Sequence, residues 1–275
     1  MTTQILEMTD AEYFAINDRC SASSIKGAFQ KSPAHYKAEQ AKYTDALNFG
    51  SIAHKAILEP REFRNVYIVA PKFDKRTKAG KEAFANFEAI KGDRQSITPE
   101  EQQKIFAMKK AFANHSIAVD ILKKANAIEQ VILFDLFGVP FKAKLDIICE
   151  PLGMVVDYKT TQSASVSSFK RDFIKYGYDI QAYVYLEAAK AAGYKVDKFV
   201  SIPQEKEAPF AVNVFNTSDD ALDLGRFKTE ELCQRWYECF QSDEWPCYEQ
   251  EIHQLELSAW DQAQLNSYAG DTLEF

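Results

Sequence analysis

Between Ala127 and Tyr158 apolar residues alternate with polar ones or run in short blocks. Glu129–Phe137, Val139–Cys149 and Met154–Tyr158 predict consecutive strands. Phe137-Gly138-Val139-Pro140 and Glu150-Pro151-Leu152-Gly153 supply the turns, so an antiparallel meander is expected. Before this stretch the pattern is helical. Ser21 or Ser23 caps a helix in which Ile25, Ala28 and Phe29 follow the helical repeat, and Ser32-Pro33 ends it. A helix over about Ala34–Glu39 follows, carrying His35 as a surface or packing residue.

Residues 46–58 read as another helix, with Leu47, Ile52, Ala56 and Leu58 toward the core. Then come a short strand, Val66–Val69, and helices over about Lys81–Ile90, Pro99–Asn114 and Ile117–Lys124. Thr98, Pro99 and Glu101 spell a capping box with proline at the first helical position. His115 lies at a helix end, where positive charge is favoured, and reads as structural. Residues 1–20 hold only an acidic, mildly apolar segment.

Beyond the meander a short helix follows Ser165, and Asp179–Ala192 is a longer one closed by Gly193. Strands at Lys198–Pro203 and Phe210–Phe215 flank a charged tip, Gln204–Ala208. A long amphipathic helix, Asp219–Phe240, and a last helix complete the pattern. With no repeat or low-complexity linker, one domain over 1–275 is expected: a mainly helical portion to 126, a sheet core over 127–215 and a helical segment over 216–275.

Composition narrows the class. Hydrophobic residues make up 46% of the 275, enough for a sizeable core. No stretch approaches the length of a membrane span, and the acidic N-terminus lacks a signal pattern, so a soluble cytoplasmic protein without membrane contact is expected. Five cysteines without a framework spacing suit a reducing compartment. The net charge of −7 argues against a globally basic nucleic-acid coat, yet a local basic groove or bound cations leave a nucleic-acid enzyme open.

The polar residues that sit oddly carry the chemistry. Asp146 is embedded between Leu145 and Ile147-Ile148, where an unpartnered carboxylate is costly. Asp157 and Lys159 share a face of the next strand by the period of two. Gln181 and Tyr185 lie i,i+4 on one helix face, and His54 lies four residues after Gly50. Together Asp146, Asp157, the carbonyl of Tyr158 and His54 form a ligand set for Mg²⁺ or Mn²⁺. The cation would activate water for attack on a phosphodiester. Lys159 then positions or deprotonates that water, or stabilises developing charge.

Each reading has a plainer counterpart. His54 alone reads as a packing histidine, and Asp157-x-Lys159 as a surface strand end. Glu129 reads as an exposed strand end, with an accessory metal ligand as the alternative. The loop PKFDKRTKAGK, with Lys75, Arg76 and Lys78, is either a solvated surface or a phosphate-contacting segment.

The ordered series Gly50-x-x-x-His54, Asp146, Gly153-x-x-x-Asp157-Tyr158-Lys159 and Gln181-x-x-x-Tyr185 resembles that of RecB-type nucleases of the PD-(D/E)xK superfamily. NFGSIAHKAILEPREFRNVYIVAPKFDKRTKAGKEAF and VVDYKTTQSAS further resemble the nuclease domain of RecE, exonuclease VIII, and its phage-borne relatives, over roughly Ser21 to Phe215. The resemblance implies an α/β fold with a central mixed sheet flanked by helices. It implies an Mg²⁺-dependent exonuclease acting 5′→3′ on linear double-stranded DNA, with Mn²⁺ as a possible substitute. The 3′ overhang would feed a RecT-like single-strand annealing partner, and a ring-shaped homotetramer would thread the DNA.

By the same resemblance His54, Asp146 and Asp157 are metal ligands and Lys159 is catalytic. Gln181 and Tyr185 support the site or touch the strand, and Arg76 is the first candidate for phosphate contact. Asp157 stands where many relatives carry Glu. The alternatives are a RecB-like nuclease with endonuclease or single-strand activity, and a non-catalytic DNA-binding subunit. A neighbouring branch holds an Fe–S cluster, but Cys233, Cys239 and Cys247 lack its Cys-x2-Cys pair, and free cysteines are expected.

Overall fold

The computed structural model describes residues 3–40 and 49–271. Leu47, the first turn of the helix expected from residue 46 and the side chain of Phe29 lie outside the described residues. In chain order the elements are β1 (Gln4–Leu6), α1 (Asp10–Ala15), α2 (Ala22–Gln30), α3 (Pro33–Gln40), α4 (Phe49–Leu58), α5 (Phe63–Val66) and β2 (Tyr67–Val69). Next come α6 (Lys78–Lys91), β3 (Gln95–Ile97), α7 (Pro99–Ala113), α8 (Ser116–Lys123), β4 (Ala127–Leu136), β5 (Val139–Cys149) and β6 (Met154–Thr161). The chain continues through α9 (Val166–Lys175), α10 (Tyr178–Ala191), β7 (Lys198–Glu205), β8 (Phe215–Asn216), α11 (Asp219–Ser242) and α12 (Ala259–Asp271).

Local chemistry sets many of these boundaries. Ser21 accepts the Ser24 N–H at 3.1 Å and starts α2. Thr98 and Glu101 close a reciprocal capping box on α7. Gly193, at φ +90°, follows the last turn of α10. The β4–β5 turn is the pair Phe137 and Gly138, both at positive φ (52° and 78°), as a two-residue hairpin requires.

A six-stranded sheet runs in the order β1-β4-β5-β6-β7-β8. The β4–β5–β6 meander is antiparallel; β6 and β7 pair in parallel through the crossover that carries α9 and α10. The sheet is mixed and flanked by helices. On one face Ile25 of α2, Ile180 and Val184 of α10 and Trp236 of α11 pack on Phe134, Phe141, Leu145 and Val155. On the other, Ile57 and Leu58 of α4, Phe112 of α7 and Ile121 of α8 pack on Ile147, Val156 and Val200. Consecutive residues Val155 and Val156 thus feed opposite layers, as alternation dictates. Among the described residues no helix is long and apolar enough to cross a membrane.

Four local differences from the sequence reading have physical causes. Three-residue strands β1 and β3 exist through their partners, β4 and β2, and carry too short a pattern to be read alone. The strand expected over Phe210–Phe215 shrinks to Phe215–Asn216 plus a bridge from Gln204 to Val212, because Phe210 sits at φ +60° and breaks the extended run. The helix expected from Lys81 begins at Lys78, capped by Thr77, which accepts the Gly80 N–H at 3.0 Å. His115 is structural as expected, but at the start of the following helix. Its Nδ1 accepts the Ala118 N–H at 3.2 Å, capping the start of α8.

Candidate active site

The β5–β6 ladder ends at the Ile147–Val156 pair. The next residues outward are Asp146 and Asp157, both buried. The ladder opens there, and the Tyr158 N–H donates instead to Asp146 Oδ2 at 2.8 Å. Helices from opposite layers reach this opening: α4 brings His54 and α10 brings Gln181.

His54 lies between two carboxylates. Its Nε2 is 2.8 Å from Asp146 Oδ2 and its Nδ1 is 3.0 Å from Glu129 Oε1. Burial opposes charge on the imidazole, but Asp146 and Glu129 together carry its pKa well above the ordinary value. Glu129 falls between the pairs Ile128–Ile147 and Gln130–Leu145, the place across from Asp146. Its φ of +55° turns it out of the regular strand. The side chain is only 12% exposed, so the reading of Glu129 as an exposed strand end is corrected. Lys144 lies 2.5 Å from Glu129 Oε2 and also pairs with Asp10 at the start of α1. Burial opposes ionisation of Glu129, yet His54 and Lys144 hold its pKa down to about 2.

Asp157 faces the other layer. Its Oδ1 accepts from Gln181 Nε2 at 2.6 Å, and its Oδ2 lies 2.8 Å from Lys159 Nζ. Burial raises the Asp157 pKa against the pull of Lys159. Burial also works against the Lys159 charge, but Asp157 outweighs it and keeps the ammonium protonated. Gln181 Oε1 accepts from Lys159 at 3.1 Å and from Lys26 of α2 at 3.0 Å. The Tyr178 ring lies under both ammonium groups, 4.3 Å from Lys159 and 5.6 Å from Lys26. Tyr185, one turn beyond Gln181 on α10, packs edge-on against Phe199.

Lys26 is the residue that sequence reasoning missed. Burial and the neighbouring Lys159 push its pKa down to about 8, against Asp157 and Asp179. Its signal was faint: a lysine directly after Ile25, on a helix whose apolar repeat points into the core.

His54, Glu129 and Asp146 each offer a ligand atom, and these atoms lie within 4.8 Å of one another. One imidazole nitrogen and carboxylate oxygens suit Mn²⁺ and are acceptable to Mg²⁺. Glu129 Oε1 is buried and its near neighbour is the His54 imidazole, so a cation between the two would meet both ligand atoms. The residues present therefore fit a divalent cation. The side-chain cluster adds Glu129 to His54 and Asp146, while Asp157 is engaged by Lys159 and Gln181. Strand parity explains it, because Asp157 points with Val155 and Lys159 toward α10 and His54 arrives from the opposite layer. The Tyr158 side chain is buried and donates to Gln204 Oε1 at 2.7 Å.

The basic loop stands apart. Arg76 is engaged by Asp74 at 2.9 Å, Lys75 lies 3.3 Å above the Phe84 ring, and Lys78 opens α6. No ion pair joins them to the cluster among the described residues.

Comparison with known proteins bears on the fold and the family. The family described as the PDDEXK-like domain of unknown function (DUF3799) matches residues 21–256. No curated protein matches the chain. Among solved structures, a protein provisionally assigned as an exonuclease from Eubacterium rectale superposes with a TM-score of 0.57 at 15% identity, covering 94% of this chain and 98% of that one. A phage related exonuclease from Haemophilus somnus 129PT gives a TM-score of 0.35 at 13% identity, covering 72% of this chain and 96% of that one, a likeness too loose to carry weight.

Proposed function

The chain belongs to this PDDEXK-like family, and from that premise we propose that it is a metal-dependent exodeoxyribonuclease acting on linear double-stranded DNA. The observation that carries the proposal is the pairing of Lys159 with Asp157 beside the His54–Glu129–Asp146 cluster. A cation-binding set and a charged lysine adjoin at the open end of one strand pair. Phosphodiester hydrolysis needs both, since negative charge develops on the phosphoryl oxygens and the leaving oxygen.

His54, Glu129 and Asp146 would hold a divalent cation, Mg²⁺ or Mn²⁺, which when bound would supply Lewis acidity for phosphodiester hydrolysis. Lys159, ion-paired with Asp157, donates to the developing charge as an electrostatic stabiliser. Asp157 fixes that ammonium, and Gln181 fixes Asp157 while accepting from Lys159. Lys26 adds a second positive charge on the same side.

The motif series and its flanks further favour a RecE-like enzyme working 5′→3′. It would leave 3′ single strands for recombination with a RecT-like annealing protein and act as a homotetramer. The Eubacterium rectale neighbour's provisional assignment as an exonuclease agrees with this activity.

The test is linear duplex labelled at the 5′ or 3′ end, incubated with Mg²⁺ beside a closed circle. Release of 5′-terminal nucleotides with the circle intact is expected. Lys159→Ala should lose turnover by a factor of about 10² to 10³ while keeping DNA binding. Cutting of the circle would overturn the exonuclease reading, and inertness on every substrate would overturn the enzyme reading.

A further inference from the structure

We propose that the outer face of α9 is a track for the single-stranded part of the DNA as it passes the site. This rests on the nuclease reading above. The helix is two-sided. Phe169 is buried and Phe173 half-buried against the body, both packed near Tyr178 at 6.0 and 6.3 Å. Positions 166, 170 and 174 form one outward row, and 167, 171 and 175 the next. Lys170, Arg171 and Lys175 are exposed there, with Val166 and Ile174 among them. The acid on this helix, Asp172, is half-buried. In a chain of net charge −7, three cations on one short face form a local positive surface.

The face is continuous with the catalytic centre. Tyr176, 42% exposed at the end of α9, lies 5.8 Å from the Tyr178 ring. Tyr178 in turn lies 4.3 Å beneath the Lys159 ammonium. An aromatic path therefore leads from the reacting lysine to the cationic face. Lys175 also lies over Tyr176, 5.3 Å from its ring.

Cations interleaved with an exposed aromatic ring select the occupant. Phosphates satisfy the cations in any nucleic acid, but only an unpaired strand offers base faces for Tyr176 to stack on. A duplex keeps its bases stacked internally. Val166 and Ile174 extend the apolar part of the same surface. The loop of Lys75, Arg76 and Lys78 has no such aromatic link to Lys159 among the described residues.

Fluorescence anisotropy with a labelled 15-nucleotide oligo-dT and a blunt duplex, in chelator without metal, tests the track apart from the chemistry. The triple variant Lys170→Gln, Arg171→Gln, Lys175→Gln should bind the single strand more weakly. Its log-affinity against log-salt slope should become shallower by about 2. Tyr176→Ala should weaken single-strand binding about tenfold with the slope unchanged and duplex binding unaffected.

Unaltered affinity and slope in the α9 triple variant would overturn the track, as would failure of the intact chain to bind the single strand at low salt. Equal losses on both probes, with Tyr176→Ala silent, would assign the face to duplex instead. Variant-sensitive binding without hydrolysis of any substrate in Mg²⁺ would remove the nuclease reading and leave the track standing.

Discussion

Gln181 donates from Nε2 to Asp157 Oδ1 at 2.6 Å. The same amide turns its oxygen to Lys159 and Lys26. One neutral group therefore holds a carboxylate on one side and ammonium groups on the other. Gln181→Glu keeps the size and replaces the donor with a second carboxylate facing Asp157. Like charges then drive the Asp157 pKa further up. Turnover on linear duplex should fall about a hundredfold with DNA affinity kept. Wild-type rates in single-turnover assays would show that the amide does not organise the site.

Glu129 and Asp157 compete for one role. If the cation sits among His54, Glu129 and Asp146, Glu129→Gln should weaken Mg²⁺ binding at least about tenfold by titration calorimetry. Asp157→Asn should leave Mg²⁺ binding nearly unchanged while abolishing turnover through the loss of Lys159's partner. The reverse ranking would return the ligand role to Asp157.

His54 ties cation binding to pH. Its folded pKa is raised above the ordinary value of 6.5, so in the metal-free chain its charge favours folding. That contribution is complete below about 6.5 and is lost as pH climbs through the folded value. A proton and a cation compete for the same imidazole, so Mg²⁺ affinity should rise with pH over this window, approaching about tenfold per unit. His54→Ala should bind Mg²⁺ weakly and without this dependence. A flat profile in the intact protein would place the cation away from His54.

Lys26 has the opposite sign. Its pKa falls from 10.5 to about 8, so the folded chain holds this proton less tightly than the unfolded chain. The cost to stability is full below about pH 8, shrinks as pH rises toward 10.5, and is absent above. Lys26→Met should gain about 1 kcal/mol at pH 7 in urea unfolding, with the gain fading near pH 10. Turnover should fall at least about tenfold at the same time. Destabilisation at pH 7 would show that the hydrogen bond to Gln181 outweighs the cost of burial.

Patterns confined to a few residues were legible in the sequence, because they encode local geometry. The alternation of β4, β5 and β6, the caps at Ser21 and Thr98, and the positive-φ glycine after α10 all follow from dihedral preference and from hydrogen bonds made within a turn or two. The same parity placed Asp157 and Lys159 on one face, and their ion pair follows from it. Strands β1 and β3 were not legible, since three residues hold their shape only against a partner.

The site divides along the same line. The sequence by itself determined that Asp146 sits in an apolar strand, that Asp157 and Lys159 share a face, and that Gln181 and Tyr185 share another. Only the tertiary structure decided the company these residues keep. It bends Glu129 out of β4 at φ +55° and brings it to His54, and it packs α2 on α10 so that Lys26 reaches Gln181. Such choices depend on how separate layers stack, where burial and charge are balanced between residues distant in the chain. Neither the period of a strand nor the repeat of a helix carries that information.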